Sequence, residues 1–385
     1  MALFRLLLKN AFRHRLRTLL TVAGVAVAIL AFGLLRTVIG AWYAGVEQAP
    51  PDRLVSRNKI SITFPLPLAQ KSRIEGIPGV LAVTHGTWFG GIYKDPKNFF
   101  AQIAMEGPES FALYPEIVVD QAVLEAFGKE PQAAIVGSAL AARFGWKVGD
   151  VIPLQGTIYP GDWSFNIRGI YTGRTETTDV GTLYFPWNAI EQRLLKEWPD
   201  RAGHVGWWTI KIDDPAKAAS ISQAVDKAFA NSSDETLTET EAAFQQSFVA
   251  MSGTIILSLK VISVLIIGVI LLVAANTMAM TARERVSEYA VLKTLGFGGK
   301  RVFFLIAGES ILIAAMGGAL GLLLLLPTVR AVGAMLRAYF PAFPTDPTTF
   351  AWGALAAIVV GIVAAVFPFW RAMRLPIALG LRRID

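Results

Sequence analysis

Four long apolar runs decide the architecture of this 385-residue chain. They cover residues 19–42, 261–282, 302–329 and 348–370. Each reaches the length of about 20 residues that a helix needs to cross a bilayer. The composition agrees: 54% of residues are hydrophobic and 17% charged, where soluble domains carry about 25% charge. The last run holds no charge. The first contains Arg36, the second Asn276 and the third Glu309, and Lys260 sits at the outer end of the second. The first run is not a cleavable signal peptide: its apolar region is too long, and Ala41-Trp42-Tyr43-Ala44-Gly45 is a poor processing site.

Basic residues set the expected topology. Arg5, Lys9, Arg13, Arg15 and Arg17 precede the first run. Arg283, Arg285, Lys293, Lys300 and Arg301 stand between the second and third. Arg371, Arg374, Arg382 and Arg383 follow the fourth. Only Glu284, Glu288 and Asp385 oppose them, so these three patches sum to +11, while the whole chain is +7. The remainder is therefore net negative. Positive-inside topology accounts for this pattern. A nucleic-acid surface would need its cations on one folded domain, so no nucleic-acid partner is expected. Both termini are expected in the cytoplasm and residues 43–253 outside, with 330–347 a short outer loop.

Residues 239–252 and 36–47 lack proline and are rich in helix formers, and Pro50-Pro51 closes the second stretch. Both spans are expected to continue outside the membrane as helical stalks. The outer segment mixes strand and helix signals. Residues 59–64 alternate like a strand, 69–74 read as helix, and Gly76-Ile77-Pro78-Gly79 as a turn before a strand at 80–84. Residues 134–137 lead into a helix at 138–144, and strands are expected at 151–155, 164–171 and 207–212. Asp214-Pro215 then opens another helix, aspartate capping it and proline filling its first position. This is an α+β domain.

Catalytic and metal chemistry find little support. The chain has no cysteine, and its three histidines, at 14, 85 and 204, are too scattered for a metal motif. His85 reads as a loop or surface residue. Gly296-Phe297-Gly298-Gly299-Lys300-Arg301 fails as a phosphate loop, which needs G-x-x-x-x-G-K-[ST]. Its glycines read instead as the end of a helix. No cofactor is expected in this chain.

Between the second and third spans stands Arg283-Glu284-Arg285-Val286-Ser287-Glu288-Tyr289-Ala290-Val291-Leu292-Lys293-Thr294-Leu295-Gly296. The pattern R-x-R-x-x-E-x-A-V-L-K-x-L-G resembles the cytoplasmic coupling segment of the mechanotransmitting ABC permeases that include MacB, FtsX and LolC/LolE. Ile135-Val136-Gly137-Ser138-x-Leu140-Ala141-x-Arg143-Phe144, followed by Val148-Gly149-Asp150, is similar to the periplasmic core domain of MacB. So are the Ile74–Val80 turn and Ile212-Asp213-Asp214-Pro215. Arg371-Ala372-x-Arg374-x-Pro376-Ile377 resembles the family's close, with an imperfect spacing to Leu381-Arg382.

The resemblance implies an α-helical membrane protein of four transmembrane helices, with a large extracytoplasmic α+β domain inserted between helices 1 and 2. Its parts are a basic cytoplasmic segment (1–18), the first helix with its outer stalk (19–42), the periplasmic domain (43–240) and a stalk with the second helix (241–282). The coupling segment (283–301), third helix (302–329), outer loop (330–347), fourth helix (348–370) and cytoplasmic tail (371–385) follow. The implied function is the permease subunit of a MacB-like transporter in a bacterial inner membrane, acting on a periplasmic or membrane-extracted substrate. A separate ABC ATPase subunit would bind ATP and Mg2+. A second permease chain, identical or not, would complete a dimer, and a periplasmic adaptor or substrate-binding protein is a further candidate partner. The alternative is an FtsX-like regulator that activates an outside partner without transport. A membrane-embedded enzyme is the third reading, disfavoured by the missing catalytic constellation.

The implied ATPase-coupling residues are Arg283, Glu284, Arg285, Glu288, Tyr289, Leu292, Lys293 and Gly296. Glu284 and Glu288, four apart, are expected exposed on one helix face, ready for basic residues of a partner. Periodicity places Val286, Tyr289 and Ala290 on one face and turns Leu292 and Leu295 elsewhere. Among the intramembrane polar residues, Arg36 and Lys260 are expected to snorkel to headgroups. Asn276 costs energy in lipid unless it reaches water, a headgroup or a partner. Glu309 is expected either to hydrogen-bond between helices or to take part in coupling. Gly317-Gly318-x-x-Gly321 lets another helix approach closely. The tryptophans of the outer domain, Trp163, Trp187, Trp198, Trp207 and Trp208, read first as core and membrane-edge residues.

Overall fold

The computed structural model describes residues 11–175, 177–296, 298–336, 343 and 345–374; within these, the side chains at 289, 293, 299, 300, 302, 367 and 371–374 are not described. The basic residues Arg5, Lys9, Arg382 and Arg383 and the Pro376-Ile377 close lie outside that range. The chain forms two compact units, one built mainly from residues 41–251 and one from the long helices.

Helix α1 (Arg15–Gln48) has 34 residues, about 50 Å at 1.5 Å per residue, well over the roughly 30 Å of a hydrocarbon core. It holds no proline and stops before Pro50-Pro51. Next come β1 (Arg53–Asn58), β2 (Leu66–Pro67), α2 (Lys71–Glu75), β3 (Val80–Trp88), β4 (Gly91–Ile92), β5 (Ala101–Met105) and β6 (Ile117–Val118). Then follow α3 (Gln121–Lys129), β7 (Ala133–Gly137), α4 (Ser138–Phe144), β8 (Val151–Gly156), β9 (Gly161–Gly173) and β10 (Thr182–Pro186). The domain closes with α5 (Asn188–Glu197), β11 (His204–Val205), β12 (Trp207–Ile212), α6 (Ala218–Phe229), β13 (Thr236–Thr240) and α7 (Glu241–Met251).

The main sheet runs β13-β1-β12-β3-β5-β10-β7-β9-β8-β4, with β6 added on β9. The pairs β5/β10 and β7/β9 are parallel and the others antiparallel. The mixed sheet and its helices make this an α+β domain, as the sequence implied. Leu54, Ile74, Phe89, Phe165, Phe185, Trp208 and Val225 fill its core. Asp214 accepts the Ala216 amide, with Pro215 at the first helical position of the turn leading into α6.

Three sequence expectations need correction. The strand expected at 59–64 is not one; β1 lies just before it, where it pairs β12 on one side and β13 on the other. Ile60 and Phe64, which made the alternation, are exposed. His85 is not a surface residue. It lies on β3, 1% exposed, edge-on to Trp187 and Trp208 at 4.8 and 5.7 Å between ring centroids. The stalk before the second span is not continuous with it: α7 ends at Met251 and the next helix begins at Gly253. A Ser-Gly pair is a usual place for such a break. Of the five outer-domain tryptophans, Trp163, Trp187 and Trp208 are buried.

The second unit adds α8 (Gly253–Glu284), α9 (Val286–Thr294), α10 (Gly299–Leu336) and α11 (Pro347–Arg374) to the membrane part of α1. Among the described residues, four helices are long and apolar enough to cross a membrane: Arg15–Gln48, Gly253–Glu284, Phe303–Leu336 and Pro347–Trp370. Glycine lets them close-pack. A Cβ at Gly317 would lie 2.8 Å from the Val22 carbonyl, and one at Gly321 2.6 Å from the Ala26 carbonyl, so α10 lies backbone to backbone on α1. A Cβ at Gly318 would lie 2.5 Å from the Ala357 side chain on α11.

Candidate functional site

The segment 283–296 is not one helix. Helix α8 ends at Glu284, Arg285 leaves the helical conformation at φ −105 and ψ 17, and α9 starts at Val286. The cause is visible in the side chain. Arg285 turns inward and its Nη1 donates to Glu309 Oε2 at 2.8 Å, on α10. Both side chains are over nine-tenths buried. In a low-dielectric interior such a pair attracts strongly, and losing either partner strands a buried charge. At the other end, Gly296 has φ +85, which only glycine adopts without strain, and the chain turns there.

The two acids of the segment are engaged within the chain. Glu284 accepts two hydrogen bonds from Arg17, each 2.8 Å, and His14 Nε2 lies 3.6 Å away. Glu288 accepts from Arg13. The break at Arg285 puts Glu284 and Glu288 on different helices, so the expected single acidic face is absent. Both are partly exposed and both are paired to the N-terminal end of the first helical region. The sequence could not pair residues some 270 positions apart.

The apolar residues of α9, with Leu295 just beyond it, divide into two faces. Ala290 is buried, and Leu292 packs against the Ala282, Ile306, Ala307 and Ala365 cluster. Val291 and Leu295 point outward, Leu295 with 70% of its surface exposed. Arg283 is also exposed. The side chains of Tyr289 and Lys293 lie outside the described residues. The structure thus brings together Arg285, Leu292 and Glu309 on the inside, and Arg283, Val291 and Leu295 on the outside.

The remaining intramembrane polar residues are scattered. The Arg36 guanidinium lies 5.5 Å from the Trp352 ring centroid, a cation–π contact within the helix unit, and its Nε finds no hydrogen-bond partner among the described residues. Asn276 is exposed on α8, the least buried of the four spans. Lys260 is exposed as well.

In the α+β domain, sequence reasoning missed Arg53. Its guanidinium, 2% exposed, is hydrogen-bonded to Glu241, to Glu116 at 2.7 Å and to the Leu113 carbonyl, and lies 4.4 Å from the Tyr114 ring centroid. Burial works against its charge, but the hydrogen bonds it donates to Glu241 and Glu116 outweigh it and raise its pKa. Burial pushes Tyr114 up to about 12. Arg53 begins β1 and Glu241 begins α7, so one cation ties the entry of the domain to its exit. Gly45 of α1 sits so close to Gln245 of α7 that a Cβ would lie 2.2 Å from Gln245 Oε1. The one available signal was positional: Arg53 is the first cation after one stalk, and Glu241 opens the other.

The sequence matches two described families: MacB-like periplasmic core domain over residues 18–228, and FtsX-like permease C-terminal over residues 260–377. Among curated relatives, an uncharacterized ABC transporter permease protein of Mycobacterium tuberculosis is 25% identical over 68% of this chain and 30% of its own length. The pyoverdine export ATP-binding/permease protein PvdT of Pseudomonas putida is 25% identical over 97% of this chain and 58% of its own. An uncharacterized ABC transporter permease of Methanocaldococcus jannaschii is 23% identical over 94% and 92%. The chain thus spans less than two thirds of the first two relatives. Among solved structures, the periplasmic region of MacB from Actinobacillus actinomycetemcomitans aligns at TM-score 0.36 and 11% identity, over 53% of this chain and 95% of that one. The extracellular domain of the noncanonic ABC-type transporter YknZ from Gram-positive bacteria aligns at 0.36 and 10%, over 49% and 99%.

Proposed function

This chain belongs to the ABC transporter permease family marked by the MacB-like periplasmic core domain and the FtsX-like C-terminal region, and from that premise we propose that segment 283–296 is its coupling element. In this reading a separate ABC ATPase binds ATP and Mg2+ and presses on the segment from the cytoplasm. This chain itself is non-catalytic and carries the motion to its outer domain, where a periplasmic or membrane-extracted substrate is handled. It lies in the cytoplasmic membrane with both termini inside.

The observation that supports the reading is the buried Arg285–Glu309 pair. It joins the segment to α10 at the point where α8 ends, so a displacement of the segment acts on two spans. The Arg17–Glu284 pair adds α1 as a third. The exposed Val291 and Leu295 supply an apolar contact for the ATPase, and Arg283 a cation beside it. A second copy of the permease completes the assembly. Asn276, exposed in mid-span, supports this: an amide facing hydrocarbon is costly and gains from a partner across a helix interface.

The test is Leu295→Asp with the ATPase co-expressed. The substitution sits at an exposed position and leaves the Arg285–Glu309 pair intact. Membrane insertion and thermal stability should match wild type, while co-purification of the ATPase is lost. Undiminished ATPase binding with normal ATP-driven activity would remove the segment from the contact.

A further inference from the structure

A groove of about 600 Å³ opens beside the start of α1, and of its lining only Arg17 takes part in the coupling contacts. His14, Arg15 and Arg17 stand at its rim, and Leu16, Leu20, Thr21, Val273 and Thr277 line the rest. It lies between the N-terminal end of α1 and the later turns of α8. Its charges are unequal. Arg17 is held by both oxygens of Glu284, and Arg13, next to the rim, is held by Glu288. His14 approaches Glu284 at 3.6 Å. Arg15 is exposed, and no ion pair to it is found among the described residues. Leu16 and Leu20, one helical turn apart, are 75% and 64% exposed, directly below it. The groove therefore offers one uncommitted guanidinium at its mouth and an apolar wall running along the span.

We infer that this groove binds an anionic phospholipid of the leaflet that faces segment 283–296, its phosphate on Arg15 and an acyl chain along Leu16, Leu20 and Val273. The chemistry follows from depth. Arg15 stands at the first residue of a helix that becomes continuously apolar within a turn, which places it at the level of lipid headgroups. A basic pocket between transmembrane helices at that level favours anionic headgroups. Guanidinium adds two-pronged hydrogen bonding to phosphate oxygens. The hydroxyls of Thr21 and Thr277 bond back to the carbonyls of Arg17 and Val273, so the wall below the rim presents little unsatisfied polarity to an acyl chain. The leaflet assignment rests on the topology proposed above; the binding itself does not.

The full-length chain, purified in detergent, would be exposed to phosphatidylglycerol or phosphatidylcholine and its retained lipid counted by native mass spectrometry. Wild type should keep phosphatidylglycerol in preference to phosphatidylcholine. Arg15→Gln should weaken that retention about five-fold, the effect of one basic side chain at an anionic surface. Val273→Trp should fill the groove and abolish the preference while leaving Arg15 in place. Arg330→Gln removes one exposed cation from the far end of α10 and should change nothing. The inference is overturned if Arg15→Gln and Val273→Trp retain phosphatidylglycerol like wild type, or if both lipids bind equally. It is also overturned if a Leu20→Cys chain cross-links to a second copy, since that copy would then occupy the groove. All of these readouts are made in detergent and are independent of topology. A wrong leaflet would appear only in the labelling experiment described below.

Discussion

Arg285 and Glu309 form a buried ion pair at 2.8 Å between the break that ends α8 and the interior of α10. Both belong to elements that the coupling reading requires to move together. Pairs of this kind are weak as net stabilisers but costly to break from one side.

Removing one partner should therefore be worse than removing both. Arg285→Met alone should destabilise the chain by about 3–5 kcal/mol, and Arg285→Met with Glu309→Met should recover most of that loss. Thermal melts in detergent check this. The double variant then separates stability from function. It should fold yet lose ATP-driven activity, because the segment is no longer fastened to α10. A stable and fully active double variant would reduce the pair to packing.

His85 predicts a pH effect in the α+β domain. Burial, with Lys71 nearby adding to it, lowers its pKa from 6.5 to about 3. The folded state thus holds it neutral where the unfolded chain would protonate it. Below pH 6.5 the unfolded state binds the extra proton, so this group's contribution is full above pH 6.5 and falls as pH drops toward 3. The size is on the order of several kcal/mol across that window. His85→Leu should flatten the loss of stability between pH 6.5 and 3 relative to wild type. An unchanged slope would show that the ring titrates freely.

Helix packing predicts a contrast between two glycines. A Cβ at Gly321 meets the Ala26 carbonyl, a backbone atom that cannot swing aside, whereas among the described residues nothing lies within 4 Å of one at Gly268. Gly321→Ala should cost about 1–3 kcal/mol through overpacking. Gly268→Ala should be neutral or stabilising by up to about 1 kcal/mol, from helix propensity. The detergent melting temperature distinguishes them. Equal behaviour would mean that α1 and α10 are not in backbone contact.

What the sequence made legible was whatever is local. Apolar run length marked the four spans. The Asp214-Pro215 pair marked its turn, and Ser138–Phe144 its helix, because capping and strand-to-helix switches depend on neighbours in the chain. The small residues at 317, 318 and 321 marked a close helix contact, though not which helix would fill it. Non-local physics was invisible. β1 was missed because Arg53-Leu54-Val55-Ser56-Arg57-Asn58 reads as polar, and Arg53 can be buried only by carboxylates 63 and 188 residues away. His85 looked like a loop residue because the tryptophans that enclose it come from Trp187 and Trp208. For the same reason, Glu284 and Glu288 read as free for a partner when Arg17 and Arg13 already hold them.

Topology is open to direct labelling, since the chain has no native cysteine. Ile60→Cys and Leu295→Cys are 78% and 70% exposed in the native residues and lie in different units. A membrane-impermeant maleimide should reach position 60 when the inner membrane is intact, and position 295 only after it is opened. The reverse order would invert the four-span arrangement and move the lipid groove to the other leaflet.

The acids of segment 283–296 allow bracing and docking to be told apart. Glu284→Lys sets a lysine against Arg17 and His14, so any loss of function has two readings: a broken internal brace or a lost ATPase contact. The pair is partly exposed, and such pairs are worth about 0.2–1 kcal/mol, so the fold should survive. The swap Arg17→Glu with Glu284→Lys restores the internal pair with its polarity reversed. Because Glu284 is already held by both oxygens within the chain, we expect the single reversal to impair ATP-driven activity and the swap to restore most of it. Leu295→Asp, which touches no internal pair, should not be rescued by the swap. Pull-down of the ATPase with each variant, beside an activity measurement in the same membranes, reads both effects. If the swap stayed as defective as Glu284→Lys in ATPase binding, Glu284 would belong to the docking surface and Arg17 would be only its neighbour.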